Sequence, residues 1–462
     1  MINTAVSLVM AAVVAGQPVV TGETPRVGHP TTSRVSVTDP GAQGVGPSSD
    51  GVISGDGRYV AFASAASNLV PGDTNGTTDV FVRDRVSATT SLVSVASDGT
   101  AGNAWSTLPV LSADGRFVLF NSRASNLVPG DVNDEPDAFL HDRRTGTTTI
   151  VNVSTEGVRA DGESIGSSIS PTGRFVSFLS WASNLVPGDT NGVGDTFVRD
   201  LWRGVTSRVS VSSLGAEGNH ASGGGALSAD GRYVVFESDA SNLVPGDTNE
   251  SPDVFVRDRW TGTTSRVSVT DDEREAIGPV AGLGSSGAAI SADGRYVTFS
   301  SFGGNLVPGD VNDLPDVFVR DRRAGTTRMV SVSFAGTPAD AASRQPSISA
   351  DGRYVAFSSE ATNLVPGDTN RDIDMFLHDR LTRRTIRVST SSDGVEGNGS
   401  VVPGQVSGDG QHVVFSSYAS NIVPGDSNER EDVFVWDRRG LWFTVGGTPG
   451  EGSGRAVAGG AR

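Results

Sequence analysis

One repeat of nearly constant length constrains the fold of this 462-residue chain more than any other feature. The turn Ser-x-Asp-Gly, or Ser-Pro-Thr-Gly in one copy, recurs with its glycine at Gly57, Gly115, Gly173, Gly231, Gly294, Gly352 and Gly410. The successive spacings are 58, 58, 58, 63, 58 and 58 residues. A period of this kind indicates that one supersecondary unit has been copied along the chain.

Each unit predicts four β-strands. A short apolar stretch leads into the turn, "RYVAFSS" or a relative follows it, "DVFVRDR" comes after a long acidic loop, and "SRVSVS" follows a "TGTT"-type turn. Val, Phe, Tyr and Thr dominate these segments, and Gly, Pro, Asn and Asp bound them, as is typical of strands. The second and third segments are almost continuously apolar, so both faces of each sheet should be covered. The sequence therefore predicts an all-β fold, a seven-bladed β-propeller of four-stranded blades.

The spacing also predicts which strand closes the ring. In most units the last Val of the fourth strand precedes the next turn glycine by 20 residues, as Val95 precedes Gly115. Val37 precedes Gly57 by the same 20 residues, so we expect the N-terminal strand to complete the seventh blade. The segment "LWFTV" at 441–445 is the competing closing strand. The predicted boundaries are a signal peptide at 1–16, a linker at 17–32, the propeller at 33–446 and a disordered tail at 447–462.

The N-terminus is typical of an exported protein. The apolar run from Ala5 to Ala15 has the length of a signal-peptide core and is too short to span a bilayer. Val13-Val14-Ala15 or Val14-Ala15-Gly16 offers the small residues of a cleavage site. Because no Arg or Lys precedes the run, a disordered or strand-forming start is the alternative. No later segment is apolar enough to span a membrane, and we expect a secreted, periplasmic or cell-surface protein.

Charge and residue usage exclude several functions. The formal net charge is −17 and the pI is about 4.7, so a phosphate backbone would be repelled and nucleic-acid binding is not expected. The absence of Cys excludes thiol nucleophiles, disulfides and cysteine zinc sites. The absence of Lys excludes Schiff-base chemistry.

An acidic loop with the pattern D-x-N-x-x-x-D separates the second and third strands of every unit. Its residues are Asp73, Asn75, Asp79; Asp131, Asn133, Asp137; Asp189, Asn191, Asp195; Asp247, Asn249, Asp253; Asp310, Asn312, Asp316; Asp368, Asn370, Asp374; and Asp426, Asn428, Asp432. Calcium takes roughly six to eight oxygen ligands, which Asp and Asn at alternate positions can begin to supply. The loop is equally typical of a turn, since Asp and Asn form Asx turns and a final Asp can cap N–H groups. A calcium site and a structural turn therefore both remain open.

A repeated Arg–Asp pair predicts a structural contact. Arg58 opens the second strand and Asp84 closes the third, so an antiparallel pairing would bring them together in a charge-assisted hydrogen bond. The same pairing is expected for Arg116 with Asp142, Arg232 with Asp258 and Arg353 with Asp379, while Gln411 replaces the Arg in the seventh unit. His141 and His378 replace the Arg of "VRD" and are interpreted as polar strand-end residues rather than catalytic ones.

The paired motifs resemble those of a known repeat. "SADGRYVAFSS" followed by "DVFVRDR" resembles the S-P-D-G-[KR]-x-I-A-F … I-Y-V-x-D repeat of the TolB-type, WD-like β-propellers, over about residues 33–446. The resemblance implies a fold used by periplasmic and secreted scaffolds, by envelope complexes and by the gating domains of serine peptidases. TolB-type propellers commonly have six blades, and no TolB-like α/β N-terminal domain fits this chain. A role in the Tol envelope system is therefore not implied.

Ligand contacts are expected where the units differ, in the segments before each first strand. These unit-specific residues are Trp105, Glu163, His220, Arg344 and Asn398. The 63-residue spacing adds five residues after Val269, on the same rim as the acidic loops. We interpret the chain as a non-catalytic scaffold for a protein or carbohydrate ligand, stabilised by calcium if the acidic loops bind it.

The alternative function is that of an extracellular metal-dependent hydrolase or lyase with its site in the central funnel. His220 or Glu163 would then act as the base. "GESIG" at 162–166 matches G-x-S-x-G, but it lies between blades and not at a strand-to-helix turn, so Ser164 is not predicted to be a nucleophile.

Overall fold

A computed structural model of the protein describes residues 29–438, which form seven four-stranded antiparallel sheets and no helix. Each sheet is one blade. The inner strands of blades 1 to 7 are β2 (Ser48–Ile53), β6 (Ser106–Leu111), β10 (Ser164–Ile169), β14 (Ser222–Leu227), β18 (Ser285–Ile290), β22 (Ser343–Ile348) and β26 (Val401–Val406). The second strands are β3 (Tyr59–Ser64), β7 (Phe117–Ser122), β11 (Phe175–Ser180), β15 (Tyr233–Ser238), β19 (Tyr296–Ser301), β23 (Tyr354–Ser359) and β27 (His412–Ser417). The third strands are β4 (Asp79–Asp84), β8 (Asp137–Asp142), β12 (Asp195–Asp200), β16 (Asp253–Asp258), β20 (Asp316–Asp321), β24 (Asp374–Asp379) and β28 (Asp432–Asp437). The outer strands are β5 (Thr89–Leu92), β9 (Thr147–Ile150), β13 (Val205–Arg208), β17 (Thr263–Arg266), β21 (Thr326–Met329), β25 (Arg384–Arg387) and, in blade 7, β1 (Thr31–Arg34).

The ring closes through the N-terminal strand. β1 pairs with β28, with Thr31 opposite Asp437 and Arg34 opposite Phe434. The inner strands of neighbouring blades contact one another around the ring, and β26 of blade 7 contacts β2 of blade 1. The predicted seven-bladed propeller and its closure are therefore confirmed. The competing segment 441–445 lies outside the described residues.

The outer strands end earlier than the sequence predicted. β1 covers Thr31–Arg34, whereas the motif "SRVSV" placed a strand at 33–37. The Ser36 side chain replaces main-chain pairing at this point, since its Oγ accepts from the Val433 N–H at 3.2 Å and donates to Asp432 at 2.6 Å. Val37 then pairs with Gln43 in the connection to the next blade. A serine or asparagine ends the outer strand in the same way in the other blades.

A stacked pair of phenylalanines lies at the centre of every blade. Phe62 and Phe81 face each other across β3 and β4, fully buried, with ring centroids 5.9 Å apart. The six equivalent pairs are 5.6 to 5.8 Å apart. Both middle strands are buried along almost their whole length; in blade 1 only Tyr59, the first residue of β3, is partly exposed. This explains why the second and third segments of each unit are continuously apolar.

The two ends of the ring differ. The face that we call the acidic face carries the acidic loops and the connections between blades. The opposite face, the turn face, carries the short turns that follow the inner and third strands. The inserted residues after Val269 lie on the acidic face as predicted, because Gly282 N–H donates to Glu250 O and Ser251 Oγ beside acidic loop 4.

The predicted Arg–Asp contact is present on the turn face. Arg58 donates Nε and Nη2 to the two oxygens of Asp84 at 3.0 and 2.7 Å. The same two-point contact occurs in blades 2 to 6, for the predicted pairs Arg116 with Asp142, Arg232 with Asp258 and Arg353 with Asp379, and for Arg174 with Asp200 and Arg295 with Asp321. In blade 7, where Gln411 replaces the Arg, Asp437 instead meets His412 and accepts from Arg85 of blade 1 at 2.6 Å.

A second arginine of each "VRDR" motif links neighbouring blades. The ring of Tyr233 in blade 4 lies between two guanidinium groups, with Arg232 of the same blade 4.7 Å and Arg322 of blade 5 4.3 Å from its centroid. The same arrangement surrounds Tyr59, Phe175, Tyr296 and Tyr354. These cation–π contacts fasten one blade to the next on the turn face.

The connections between blades cover the outer strand edges. Thr90 Oγ1 in β5 donates to Val37 O at 2.7 Å, so the connection that leaves blade 7 packs against the edge of blade 1. An equivalent threonine contact occurs in every other blade, including Thr32 to Thr390 O at 2.6 Å across the closing seam. Outer edges of this kind are protected from pairing with other chains. Residues 29–438 contain no helix that could serve as a membrane span.

Candidate functional site: the acidic loops and the channel rim

The asparagine of each acidic loop forms a turn. Asn75 Oδ1 accepts from the Thr77 N–H at 3.0 Å, which is an Asx turn, and its amide donates to Asp79 at 2.6 Å and to Gly102 O at 2.9 Å. All seven loops have the Asx turn. The asparagine side chain is therefore engaged in the loop and joins it to the connection that leaves the blade.

The last aspartate of each loop is the first residue of the third strand and is completely or almost completely buried. Asp79 Oδ1 accepts from Ser94 Oγ at 2.7 Å, and Ser94 is the residue that ends the outer-strand pairing. The equivalent serine or asparagine side chains donate a hydrogen bond to Asp137, Asp195, Asp253, Asp316, Asp374 and Asp432. Burial raises the pKa of Asp316 to about 6 and that of Asp137 to about 6, against the hydrogen bonds that favour the charged form.

In four loops an arginine bridges the first and last aspartates. Arg266, the last residue of β17, places Nη1 3.2 Å from Asp247 Oδ1 and 2.8 Å from Asp253 Oδ2, and donates Nη2 to Gly246 O at 3.1 Å. Arg34, Arg208 and Arg387 occupy the same place in loops 7, 3 and 6. The sequence reasoning missed this contact, because the outer strand was expected to continue beyond the arginine.

Acidic groups that could bind a metal are present in three of these loops. Asp189, Asp195 and Glu217 have carboxylate oxygens within 4.8 Å of one another, as do the corresponding trios in loops 4 and 6. Arg208 Nη1 lies within 3.4, 3.1 and 2.6 Å of those three side chains. The positive charge that such a trio requires is thus already supplied by the chain.

Loops 1, 2 and 5 have an apolar residue where the others have this arginine. The replacements are Leu92, Ile150 and Met329. Loop 2 receives a guanidinium from another position, since Arg159 Nη1 lies 3.9 Å from Asp131 Oδ1. In loop 5, Oδ2 of Asp310 is buried and has no hydrogen-bond partner among residues 29–438. Burial raises the pKa of both Asp73 and Asp310.

The predicted ligand residues all lie on the acidic face. Trp105 and Glu163 precede the inner strands of the adjacent blades 2 and 3, and His220 precedes that of blade 4. Arg344 is in β22, with its guanidinium 5.3 Å from the centroid of Phe302. Asn398 donates to Ser420 Oγ at 3.1 Å at the edge of blade 7. Within residues 29–438 no hydrogen bond joins Trp105, Glu163, His220 and Arg344 to one another.

Three further aromatic residues lie on the same rim and were not predicted. They are Trp181, Phe302 and Tyr418, and each directly follows the second strand of its blade. The other blades have Ala65, Arg123, Asp239 and Glu360 at this position. Trp181 is 47% and Tyr418 59% exposed, compared with 37% for Trp105. The main-chain N–H of this residue bonds to the residue before the inner strand, as Trp181 N does to Glu163 O at 3.0 Å. The variation from unit to unit at this position was the signal that could have identified it.

A pair of carboxyl groups lies beside the inner strand of blade 1. Asp50 is in β2 at a bulge with φ 54°, and Glu431 precedes β28 and accepts the Ser48 N–H through its main-chain oxygen at 2.8 Å. Burial raises the pKa of both groups, the charge of Asp50 adds to the increase at Glu431, and Glu431 in turn raises the pKa of Tyr418. Glu431 Oε1 is buried with no hydrogen-bond partner in the described chain. These residues come from three separate segments, so sequence spacing gave no indication of the pair.

The histidines and the G-x-S-x-G serine have structural environments. His141 and His378 are buried, each with Nδ1 next to a threonine hydroxyl at 2.9 and 3.0 Å, and burial lowers the pKa of His378 to about 4. Ser164 is the first residue of β10, fully buried and hydrogen-bonded to Ser180 at 2.8 Å. No group of three acidic or His side chains close enough to hold a metal in residues 29–438 includes a histidine.

Solved structures with the same fold are known. A TolB from Acinetobacter baumannii is 17% identical with a TM-score of 0.39, over 74% of this chain and 63% of that chain. TolB proteins are among the structural neighbours, as the repeat motif predicted. This chain spans less than two thirds of the length of that TolB.

Two other solved structures match this chain over almost the whole of their own length. An oligogalacturonate lyase in complex with manganese is 13% identical with a TM-score of 0.50, over 90% of this chain and 97% of that chain. The β-propeller domain of the Trilobed protease from Pyrococcus furiosus is 10% identical with a TM-score of 0.53, over 87% and 99%. At these identities the likeness is one of fold. No protein-family model and no curated protein matches the sequence.

Proposed function

We propose that the protein is an exported, non-catalytic binding scaffold that recognises its ligand on the acidic-face rim of the propeller. The observation that carries the proposal is the set of unit-specific aromatic residues on this rim, Trp105, Trp181, Phe302 and Tyr418, on a framework that is otherwise repeated. Repeat proteins keep the residues that build the fold and vary those that bind. Exposed aromatic side chains with polar neighbours are frequent in ligand sites.

A carbohydrate chain fits this rim better than a protein does. Residues with charged side chains neighbour the aromatics: the guanidinium of Arg344 lies 5.3 Å from the Phe302 ring, Tyr418 interacts with Glu431, and main-chain hydrogen bonds join Trp105 to Arg123 and Trp181 to Glu163. A sugar ring has an apolar face that stacks on such a side chain and hydroxyl groups that meet the neighbouring charges. A protein partner would favour a contiguous apolar centre with the charges at its edge.

The experiment compares tryptophans on the two faces. Trp105→Ala and Trp181→Ala remove exposed rings from the acidic face, while Trp202→Ala and Trp260→Ala remove more exposed rings, 71% and 68%, from the turn face. We expect binding on a polysaccharide and glycan panel to fall at least tenfold in the first pair only. Equal binding by all four variants would contradict the proposed site, and binding to a protein but to no glycan would replace the ligand class.

The N-terminal apolar run supports export. Residues 5–15 have the composition of a signal-peptide core, and cleavage after Ala15 or Gly16 would leave the whole described propeller intact. Sequencing of the mature N-terminus after expression with the complete leader tests this. A mature protein that still begins at Met1 would contradict export through this segment.

Calcium stabilisation is part of the same proposal. Each acidic loop contains two aspartates, and loops 1 and 5 have no arginine to offset the repulsion between their carboxylates. Oxygen-rich loops of this composition suit calcium. The melting temperature with excess calcium, compared with that in chelator, provides the measurement.

A second candidate, a hydrolase or lyase, is favoured by the Asp50–Glu431 pair. Two partly buried carboxyl groups whose pKa values are both raised can divide the roles of acid and base. Asp50→Asn would abolish cleavage of a bound polysaccharide and leave its binding unchanged. Absence of any cleavage by the wild type on the glycans that it binds would exclude this candidate.

A further inference from the structure

The seven acidic loops divide into those that contain an internal cation and those that do not. In loops 3, 4, 6 and 7 the last residue of the outer strand is Arg208, Arg266, Arg387 or Arg34, and its Nη1 lies 2.8 to 3.5 Å from both aspartates. Loops 1 and 5 present the same two aspartates around Leu92 and Met329. An apolar side chain cannot compensate two carboxylates that the fold buries.

A second position changes together with the arginine. Loops 3, 4 and 6 have Glu217, Glu275 and Glu396 in the connection, each contacting the arginine, and loop 7 has Gln43. In loops 1 and 5 the equivalent residues are Ala101 and Pro338. They form the same isolated β-bridge, to Val95 and Val332, that Glu217 forms to Val211. Both polar partners are thus absent from the same two loops, while Asp73, Asp79, Asp310 and Asp316 are retained.

The first aspartates of these two loops are buried without a cationic partner. Asp73 and Asp310 are each 8% exposed, and neither forms an ion pair with an arginine or histidine of residues 29–438. Asp310 Oδ2 accepts no hydrogen bond from the described chain. In loop 4 a single Nη1 lies 3.2 and 2.8 Å from the two equivalent carboxylates, so the two aspartates of loop 1 and those of loop 5 each face one shared site.

We infer that loops 1 and 5 each bind one calcium ion at the place that an arginine guanidinium occupies in loops 3, 4, 6 and 7. The inference rests on the proposed calcium-stabilised scaffold and names the loops that take the ion. Asp73 and Asp79, and Asp310 and Asp316, supply the carboxylates. The arginines of loops 3, 4 and 6 also donate to the glycine carbonyl before the first aspartate, at 3.0 to 3.3 Å, so the carbonyls of Gly72 and Gly309 are the equivalent oxygen ligands.

Loop 2 is assigned to the arginine group. Its outer strand ends in Ile150, but Arg159 enters from the connection, at the position of Glu217, and Nη1 lies 3.9 Å from Asp131 Oδ1. Asparagine also replaces serine as the partner of Asp137, since Asn152 donates to its Oδ1. The carboxylates of loop 2 are therefore compensated by an arginine of the connection instead of one at the end of the outer strand.

The stoichiometry of calcium binding tests the inference on the full chain. After chelator treatment and buffer exchange, native mass spectrometry and calorimetric titration with CaCl2 are expected to give two ions per chain. The double variant Asp73→Asn, Asp310→Asn is expected to bind none. The matched control Asp247→Asn, Asp368→Asn changes the same position in two arginine loops and is expected to retain two ions.

A second, independent experiment exchanges the last residue of the outer strand between the two groups of loops. Leu92→Arg with Met329→Arg supplies the guanidinium and is expected to abolish calcium binding while raising the melting temperature in chelator. Arg266→Leu is expected to create a third site. Two retained ions in the Leu92→Arg, Met329→Arg variant, binding by the arginine loops of the wild type, or no binding at all would overturn the inference. Because glycan binding is measured on the same preparations, loss of calcium binding alone leaves the ligand-binding proposal intact.

Discussion

Arg266 Nη1 lies 2.8 Å from Asp253 Oδ2, and the two side chains are 9% and 0% exposed. The pair joins the end of the outer strand of blade 4 to the start of its third strand. Removing one partner of a buried pair leaves the other charge without compensation, which costs far more than the pair contributes as a whole.

Arg266→Leu is expected to lower the free energy of unfolding by about 3 kcal/mol at pH 7 in chelator, as measured by urea denaturation. Arg328→Leu is the control, because Arg328 pairs with Asp271 on the surface, with 63% and 51% of the side chains exposed. An exposed pair contributes less than about 1 kcal/mol. Equal losses in the two variants would contradict the role of burial.

The stability of the calcium-free protein should decrease as the pH rises through about 6. Burial raises the pKa of Asp316 to about 6, whereas an unfolded aspartate has a pKa of roughly 3.9. The folded state therefore binds this proton more tightly, and its contribution is complete below roughly pH 3.9 and is lost as the pH rises through about 6.

Asp316→Asn should remove this part of the pH dependence. We expect the variant in chelator to be more stable than the wild type at pH 8 by roughly 1–3 kcal/mol, and to differ little from it at pH 4. Melting temperatures of both proteins across this range provide the measurement. Parallel curves for the two proteins would show that Asp316 does not titrate in this window.

Closure by β1 predicts a sharp difference between two truncations. Removal of residues 1–34 deletes the strand that pairs with β28, the Thr32 contact to Thr390 O and the Arg34 pair with Asp432. The free energy of unfolding should fall by at least about 3 kcal/mol. Removal of residues 1–28 keeps all of these contacts and should leave the urea midpoint unchanged. A midpoint that is the same for both truncations would show that β1 is dispensable.

Gly294 is expected to tolerate no side chain. Its φ is 71°, and a Cβ there would lie 2.2 Å from Cδ2 of Tyr233, the ring held between two arginines. Gly246 is the matched control, since its φ is 75° and a Cβ would meet nothing within 4 Å. Gly246→Ala should cost about 1 kcal/mol through backbone strain, and Gly294→Ala roughly 2 kcal/mol more through the clash. Equal thermal shifts would contradict the close packing between blades 4 and 5.

The fold could be predicted because its determinants are local and repeated. The seven turn glycines and the apolar segments around them predict the number of blades. The 20 residues between Val37 and Gly57 predict the strand that closes the ring. The pair of Arg58 with Asp84 was predictable for the same reason, since an antiparallel hairpin brings the ends of consecutive strands together.

The internal cations of the acidic loops could not be predicted in the same way. The motif "SRVSV" predicts a strand that continues through its valines, whereas β17 ends at Arg266, and the guanidinium of that residue lies 2.8 Å from Asp253 in the acidic loop. The Asp50–Glu431 pair depends on ring closure, which joins residues of blades 1 and 7 that are far apart in the sequence. The aromatic rim was accessible in principle, because Trp181 and Tyr418 occupy a position that varies between units.

Thr31 and Asp437 are partners in the last ladder of blade 7, and both lie at the turn-face end of their strands. A fusion partner, an anchor or a solid support attached before Thr31 or after Asp437 therefore starts from one corner of the disc, on the side away from Trp105 and Trp181. Tethering at either end would leave the proposed binding rim pointing away from the support. A propeller held at Thr31 or Asp437 would present all seven acidic loops to the solution at once.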